Sequence, residues 1–183
     1  MELRIVETHL TSEYLEKYGN GDTFIETGTF LGDTVHLALD CGFSKVHSCE
    51  LNDEFYESAE NTFANNPKVK IWHGDSVDCI PKMLEASNKP VTFWLDAHAS
   101  GPLAGGRSGG SPVLDELRLI KEDTRNDHTI FIDDRRLFGS AEWSYVREED
   151  AIALLKEINP NYNILFLDGH QKEDVICATV KGS

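Results

Sequence analysis

An α/β fold built on one mostly parallel sheet is what this sequence predicts, on three observations. Short apolar runs rich in β-branched and aromatic residues alternate with longer amphipathic runs at helical spacing. Each of the first five strand-like runs ends in an acid, at Glu26, Glu50, Asp75, Asp96 and the pair Asp133-Asp134. The last two runs are joined only by the turn Asp168-Gly169-His170, too short for a parallel crossover, so they must form a hairpin. At 183 residues the chain suits one domain over residues 1–183, long enough to cover both faces of a sheet.

Glu7 to Tyr18 reads as an amphipathic helix with Leu10, Tyr14, Leu15 and Tyr18 on one stripe and Thr11 or Ser12 as cap. Gly19-Asn20-Gly21-Asp22 breaks it. Thr23-Phe24-Ile25 favours a strand, which runs through Glu26-Thr27 into a turn at Gly28 and Gly32. A helix follows, roughly Gly32 to Asp40. Lys45 to Glu50 is a second strand, and a helix begins near Asn52-Asp53-Glu54 and runs to about Asn65. Val69 to Asp75 is a third strand, after which Ser76 caps a helix through Leu84. Val91 to His98 is a fourth and strongly apolar strand.

Residues 99–110 form a small-residue loop, with Gly101 to Gly110 as a candidate lid. Ser111 and Pro112 then suit the cap and first position of another helix. Thr129 to Asp134 is the fifth strand, Glu148 to Ile158 a helix, and Tyr162 to Leu167 and Asp174 to Val180 the closing hairpin.

The balance of charge narrows the partners. Seventeen Lys and Arg against 32 Asp and Glu give a net charge of -15, which disfavours nucleic acid and anionic membranes, since both are held by basic side chains. A small-molecule or glycan substrate remains compatible. Cys41, Cys49, Cys79 and Cys177 form no CxxC pair and suit a reducing compartment. Met1-Glu2-Leu3-Arg4 lacks a secretory signal pattern, so the expected location is cytoplasmic. A homodimer and membership in a larger multidomain chain both stay open.

The chemistry is expected along one edge, because the carboxyl ends of parallel strands lie together there. The turn after Glu26 is neither GxGxxG nor a Walker loop, and the acid beside it repels phosphate but suits a cationic ligand. Glu50 follows Gly28 by about twenty residues at the end of the next strand, the place of an acid that accepts from ribose hydroxyls; the alternative is a helix cap. Asp75 and Ser76 could meet an adenine or merely cap their helix. Asp96, Asp133 and Asp134 are hard oxygen ligands suited to Mg²⁺, Mn²⁺ or Ca²⁺. His98, two residues past Asp96, could serve as general base or as a second-layer partner. Arg135 and Arg136 are candidates to neutralise the acidic rim.

The order Glu26-Thr27-Gly28, acid-ended Glu50, Gly74-Asp75 and a closing hairpin resembles the class I S-adenosylmethionine-dependent methyltransferases. That resemblance implies a Rossmann-like, doubly wound sheet of seven strands with the last antiparallel between its neighbours. It also implies S-adenosylmethionine as cofactor, with Glu26, Thr27, Gly28, Thr29 and Phe30 toward its methionine part. Glu50 would be on the ribose, and Leu51, Asp75 and Ser76 on the adenine, with Asp96 alongside. Leu95-Asp96-Ala97-His98 and Ile132-Asp133-Asp134 are similar to the macrocin O-methyltransferase group of metal-dependent sugar O-methyltransferases. That likeness implies a metal on Asp96, Asp133 and Asp134 and a deoxysugar hydroxyl as acceptor. The chain departs from the group in having His98 where another acid is common, and in lacking insertions that recognise substrate. Rival readings are a metal-independent methyltransferase, a non-catalytic nucleoside-binding domain of a larger glycan-building protein, and a metal-dependent phosphoesterase.

Overall fold

The computed structural model describes residues 8–97 and 110–181. Seven strands form one sheet in the order β3-β2-β1-β4-β5-β7-β6. They are β1 Thr23–Thr27, β2 Lys45–Glu50, β3 Val69–His73, β4 Val91–Leu95, β5 Thr129–Ile132, β6 Asn163–Leu167 and β7 Val175–Thr179. β1 pairs in parallel with both β2 and β4, Glu26 lying level with Ser48 on one side and Trp94 on the other. β7 enters antiparallel between β5 and β6. The expected Rossmann-like, doubly wound arrangement is therefore the one observed.

Every residue of β1, β4, β5 and β7 is buried, as apolar strands covered on both faces require. Successive residues serve opposite layers. Phe24, Val46, Trp94, Phe131 and Cys177 pack with α1 (Ser12–Tyr18), α2 (Asp33–Asp40) and α3 (Asp53–Phe63). Ile25, Phe93, Leu95, Ile130, Ile132 and Ile176 pack with α4 (Ser76–Glu85), α5 (Val113–Lys121) and α6 (Glu148–Ile158). Each fully buried large side chain contributes about 1.5–3 kcal/mol, so Phe93 and Trp94, adjacent in sequence, anchor two different layers.

Several boundaries differ from the sequence reading, for local reasons. α1 starts at Ser12 rather than Glu7, because Thr11 turns extended and its hydroxyl accepts the Tyr14 N–H at 3.2 Å. His9 is thereby left outside the helix. α4 is capped by Asp75, whose carboxylate accepts the Val77 N–H at 3.1 Å, and Ser76 is the first helical residue rather than the cap. α5 begins at Val113, one residue past Pro112, with Ser111 Oγ accepting the Val113 N–H at 3.4 Å. Cys49, Cys79 and Cys177 are free and buried. No helix among the described residues is long and apolar enough to cross a membrane.

Candidate active site at the carboxyl edge of the sheet

The strand order reverses between β1 and β4, and at such a switch point α/β sheets hold ligands in the crevice outside the carboxyl ends of the strands. The turn after β1 forms one wall. Gly28 has φ +88°, and a Cβ there would lie 2.6 Å from the Asp96 carbonyl oxygen, so the turn can close against the end of β4 only with glycine. Its N–H and that of Thr29 both donate to the Cys49 carbonyl, at 2.9 and 3.1 Å, which ties the turn to β2 as well. Phe30 sits at φ 45°, an uncommon conformation for an aromatic residue. Its side chain is half exposed and packs edge-on against Phe55, with ring centroids 4.7 Å apart.

Glu50 holds this turn. Its carboxylate accepts the Phe30 N–H at 2.9 Å and the Asn52 N–H at 2.8 Å. The cap of α3 is Asn52, whose Oδ1 accepts from Glu54 and Phe55, so the capping alternative for Glu50 falls to its neighbour. Each carboxylate oxygen carries two lone pairs, so Glu50 can still accept from a ligand. Phe30, Leu31 and Leu51 stand exposed around it, an apolar platform beside an acid.

Glu26 lies deeper, 1% exposed, with the Ser48 hydroxyl donating to it at 2.6 Å. Burial pushes its carboxyl up to about 8; the hydroxyls of Ser48 and Thr34 oppose that, and the charges of Asp96 and Glu50 reinforce it. On the opposite layer Glu116 of α5 is equally buried. Burial raises it to about 7 against the Ser76 and Thr27 hydroxyls, helped by the charges of Asp75 and Asp96. Among the described residues its Oε1 has no hydrogen-bond partner, and the side chain lines a narrow cleft with Asp96, Ser111 and Trp143. Sequence reasoning missed Glu116. The available signal was an acid in register with Val113, Leu117 and Ile120 on the buried stripe of a helix.

At the end of β5 the two acids diverge. Asp133 Oδ1 accepts the Asp134 N–H at 2.8 Å, and Oδ2 lies 2.9 Å from Nδ1 of His9. Burial first, then the charges of Asp96 and Asp134, push Asp133 up to about 7, while His9 pulls it down. Asp134 takes a left-handed conformation, φ 56°, and pairs with Arg136, which also grips Asp174. Arg135 pairs with Glu148 instead. Repulsion among the acids is thus relieved by Arg136 on one carboxyl and by the raised Asp133 on another. Ligand atoms of His9, Asp133 and Asp134 all lie within 4.8 Å of one another, a spacing that fits a single cation. Asp96 is near enough to act on Asp133 but is not a member of that group. No sequence signal pointed to His9, which stands 124 positions from Asp133. His98 and all but the last residue of the segment 101–110 lie outside the described residues.

No protein-family model and no curated protein sequence matches the chain. Solved structures do match in fold. An O-methyltransferase from Bacillus cereus in complex with SAH aligns over 86% of this chain and 74% of its own, with a TM-score of 0.54 at 14% identity. Fibrillarin from Aeropyrum pernix, with natively bound S-adenosyl-L-methionine, aligns over 88% and 67% with a TM-score of 0.58 at 15% identity. Spermidine synthase from Thermotoga maritima aligns over 94% of this chain with a TM-score of 0.61 at 11% identity, the chain spanning 57% of that enzyme. Identities this low carry fold rather than activity: the chain has the seven-stranded Rossmann-like fold that S-adenosylmethionine-binding methyltransferases also have.

Proposed function

We propose that this chain is an S-adenosylmethionine-dependent O-methyltransferase whose acceptor is a hydroxyl of a small molecule or glycan, in particular a sugar. The observation that carries this reading is the set of groups gathered at the carboxyl edge around the β1–β4 switch point. Its described functional groups are the carboxyls of Glu26, Glu50 and Asp96 and nearby hydroxyls, beside the exposed Phe30 and Leu51. Glu26, held protonated by burial, adds a hydrogen-bonding group rather than a charge, contrary to the expectation from sequence; the remaining acids and the apolar surface suit a nucleoside carrying a sulfonium cation and disfavour a nucleotide phosphate. The fold shared with structures that hold S-adenosylmethionine or its demethylated product supports the same cofactor.

In this reading Glu50 accepts from the ribose hydroxyls while its bonds to Phe30 and Asn52 keep the carboxylate fixed. Leu51 and Phe30 pack on the flat parts of the ligand, and Asp75 and Ser76 border the adenine. Glu26 and Asp96 face the charged methionine end. The acceptor lies over the ends of β4 and β5. There Asp133 and Asp134 would hold a divalent cation, which when bound lowers the pKa of a ligated hydroxyl. His98 is assigned the hydroxyl proton, and positioning supplies much of the rate. A cytoplasmic setting without nucleic-acid or membrane partners belongs to the same proposal, on the net charge of -15.

Isothermal calorimetry tests the cofactor. Wild-type protein should bind S-adenosylmethionine, and Glu50→Ala should weaken binding by roughly 1–3 kcal/mol through lost charge-assisted hydrogen bonds. Unchanged affinity in a folded Glu50→Ala protein would remove the ribose assignment, and no binding to wild type would remove the cofactor.

A further inference from the structure

We infer that His9 completes a metal site with Asp133 and Asp134, and that the ion it takes is a later divalent first-row transition ion such as Fe²⁺ or Co²⁺ rather than Mg²⁺ or Ca²⁺. The use of such an ion in catalysis rests on the proposed methyl transfer; the ligand set rests on geometry alone.

The three side chains arrive from two distant parts of the chain. Asp133 and Asp134 follow β5, while His9 sits on the extended segment just before α1. One ligand atom from each lies within 4.8 Å of the others, and Asp133 Oδ2 is 2.9 Å from His9 Nδ1. Ligand atoms bound to one ion at about 2.0–2.2 Å stand about 3–4 Å apart, so the group needs little rearrangement. Both carboxyls are buried, and the His9 side chain keeps one third of its surface in solvent, which leaves an entry path.

The surroundings resemble the outer layer of a metal centre. The Asp134 N–H holds Asp133 Oδ1, and Arg136, itself anchored on Asp174, holds Asp134. Such bonds orient ligating carboxylates. His170 stands edge-on to His9 with ring centroids 5.5 Å apart, limiting how far the imidazole can swing.

The ligand chemistry decides the ion. Mg²⁺ and Ca²⁺ take oxygen donors almost exclusively, whereas imidazole nitrogen suits the later divalent ions. A site of one imidazole and two carboxylates therefore selects against Mg²⁺, and its remaining positions go to oxygens of water or acceptor.

Co²⁺ alone is the probe, because its visible d–d bands report the ligand field around the ion without cofactor, acceptor or turnover, and comparison with the His9 variants isolates the imidazole. The 183-residue chain should bind Co²⁺ with a new visible spectrum and bind Mg²⁺ at least tenfold more weakly by calorimetry. His9→Ala should lose roughly 10–100-fold in Co²⁺ affinity or more. His9→Asp should regain affinity as an all-oxygen site and shift its preference toward Mg²⁺. Circular dichroism of the metal-free proteins checks that all are folded, which the solvent-facing position of His9 favours. Equal Co²⁺ affinity in His9→Ala, no Co²⁺ binding by wild type at millimolar concentration, or a wild-type preference for Mg²⁺ would each overturn the assignment. Because S-adenosylmethionine is absent throughout, failure here leaves the cofactor reading standing, and failure of cofactor binding leaves the ion site standing.

Discussion

Replacing Glu26 by Gln should make the protein more stable in mild alkali and change it little in acid. The Glu26 carboxyl is 1% exposed, and burial pushes it from the ordinary 4.5 up to about 8. An acid raised in the folded state stays protonated there while the unfolded chain ionises. Its stabilising contribution is therefore complete below pH 4.5, declines as pH rises through the interval to 8, and has been lost above it. At about 1.4 kcal/mol per unit the full swing is on the order of 5 kcal/mol, an upper bound because local rearrangement and water entry would reduce it. Glutamine keeps the shape and still accepts from the Ser48 hydroxyl, which donates to Glu26 at 2.6 Å, but it cannot ionise. Glu116 and Asp133, each raised to about 7, impose the same sign of pH dependence on both proteins. The difference between variant and wild type therefore isolates Glu26. Urea unfolding at half-unit steps from pH 4.5 to 8.5 measures it. The two proteins should agree within about 1 kcal/mol at the acid end, and Glu26→Gln should then lead by a margin that grows to several kcal/mol. Parallel profiles would mean that Glu26 is ionised in the folded protein and that burial does not control it.

Two further outcomes probe the crevice. Gly28→Ala places a Cβ 2.6 Å from the Asp96 carbonyl oxygen at φ +88°, so thermal unfolding should show a loss of roughly 2–5 kcal/mol; a loss below about 0.5 kcal/mol would mean that the turn and the end of β4 separate easily. On the proposed function, which puts Asp134 at the acceptor end, Asp134→Asn should lower methyl transfer to sugar glycosides far more than it lowers S-adenosylmethionine affinity. Equal effects on both would place Asp134 with the cofactor.

The layered fold was readable from sequence because it follows from local rules. A buried parallel strand needs a continuous apolar run, and Val91–Leu95 and Thr129–Ile132 are such runs. The short connection between Leu167 and Val175 leaves no room for a parallel crossover, so the two strands could close only antiparallel. Strand-end acids fall on one edge whenever the strands are parallel, so the sequence by itself determined that Glu26, Glu50, Asp96 and Asp133 share a rim. Which of them carry charge, and which side chains meet them, depended on atoms far away in the chain. Glu50 is bound to the amide of Phe30, twenty positions earlier, and Glu26 to the hydroxyl of Ser48. Glu116 faces Ser76 and Thr27 from another element, and His9 reaches Asp133 across 124 positions. Periodicity records which face of an element is buried, but it carries no record of what lies opposite. That is why the rim could be read from the sequence, while the His9–Asp133 contact and the buried Glu116 were decided only when the layers closed.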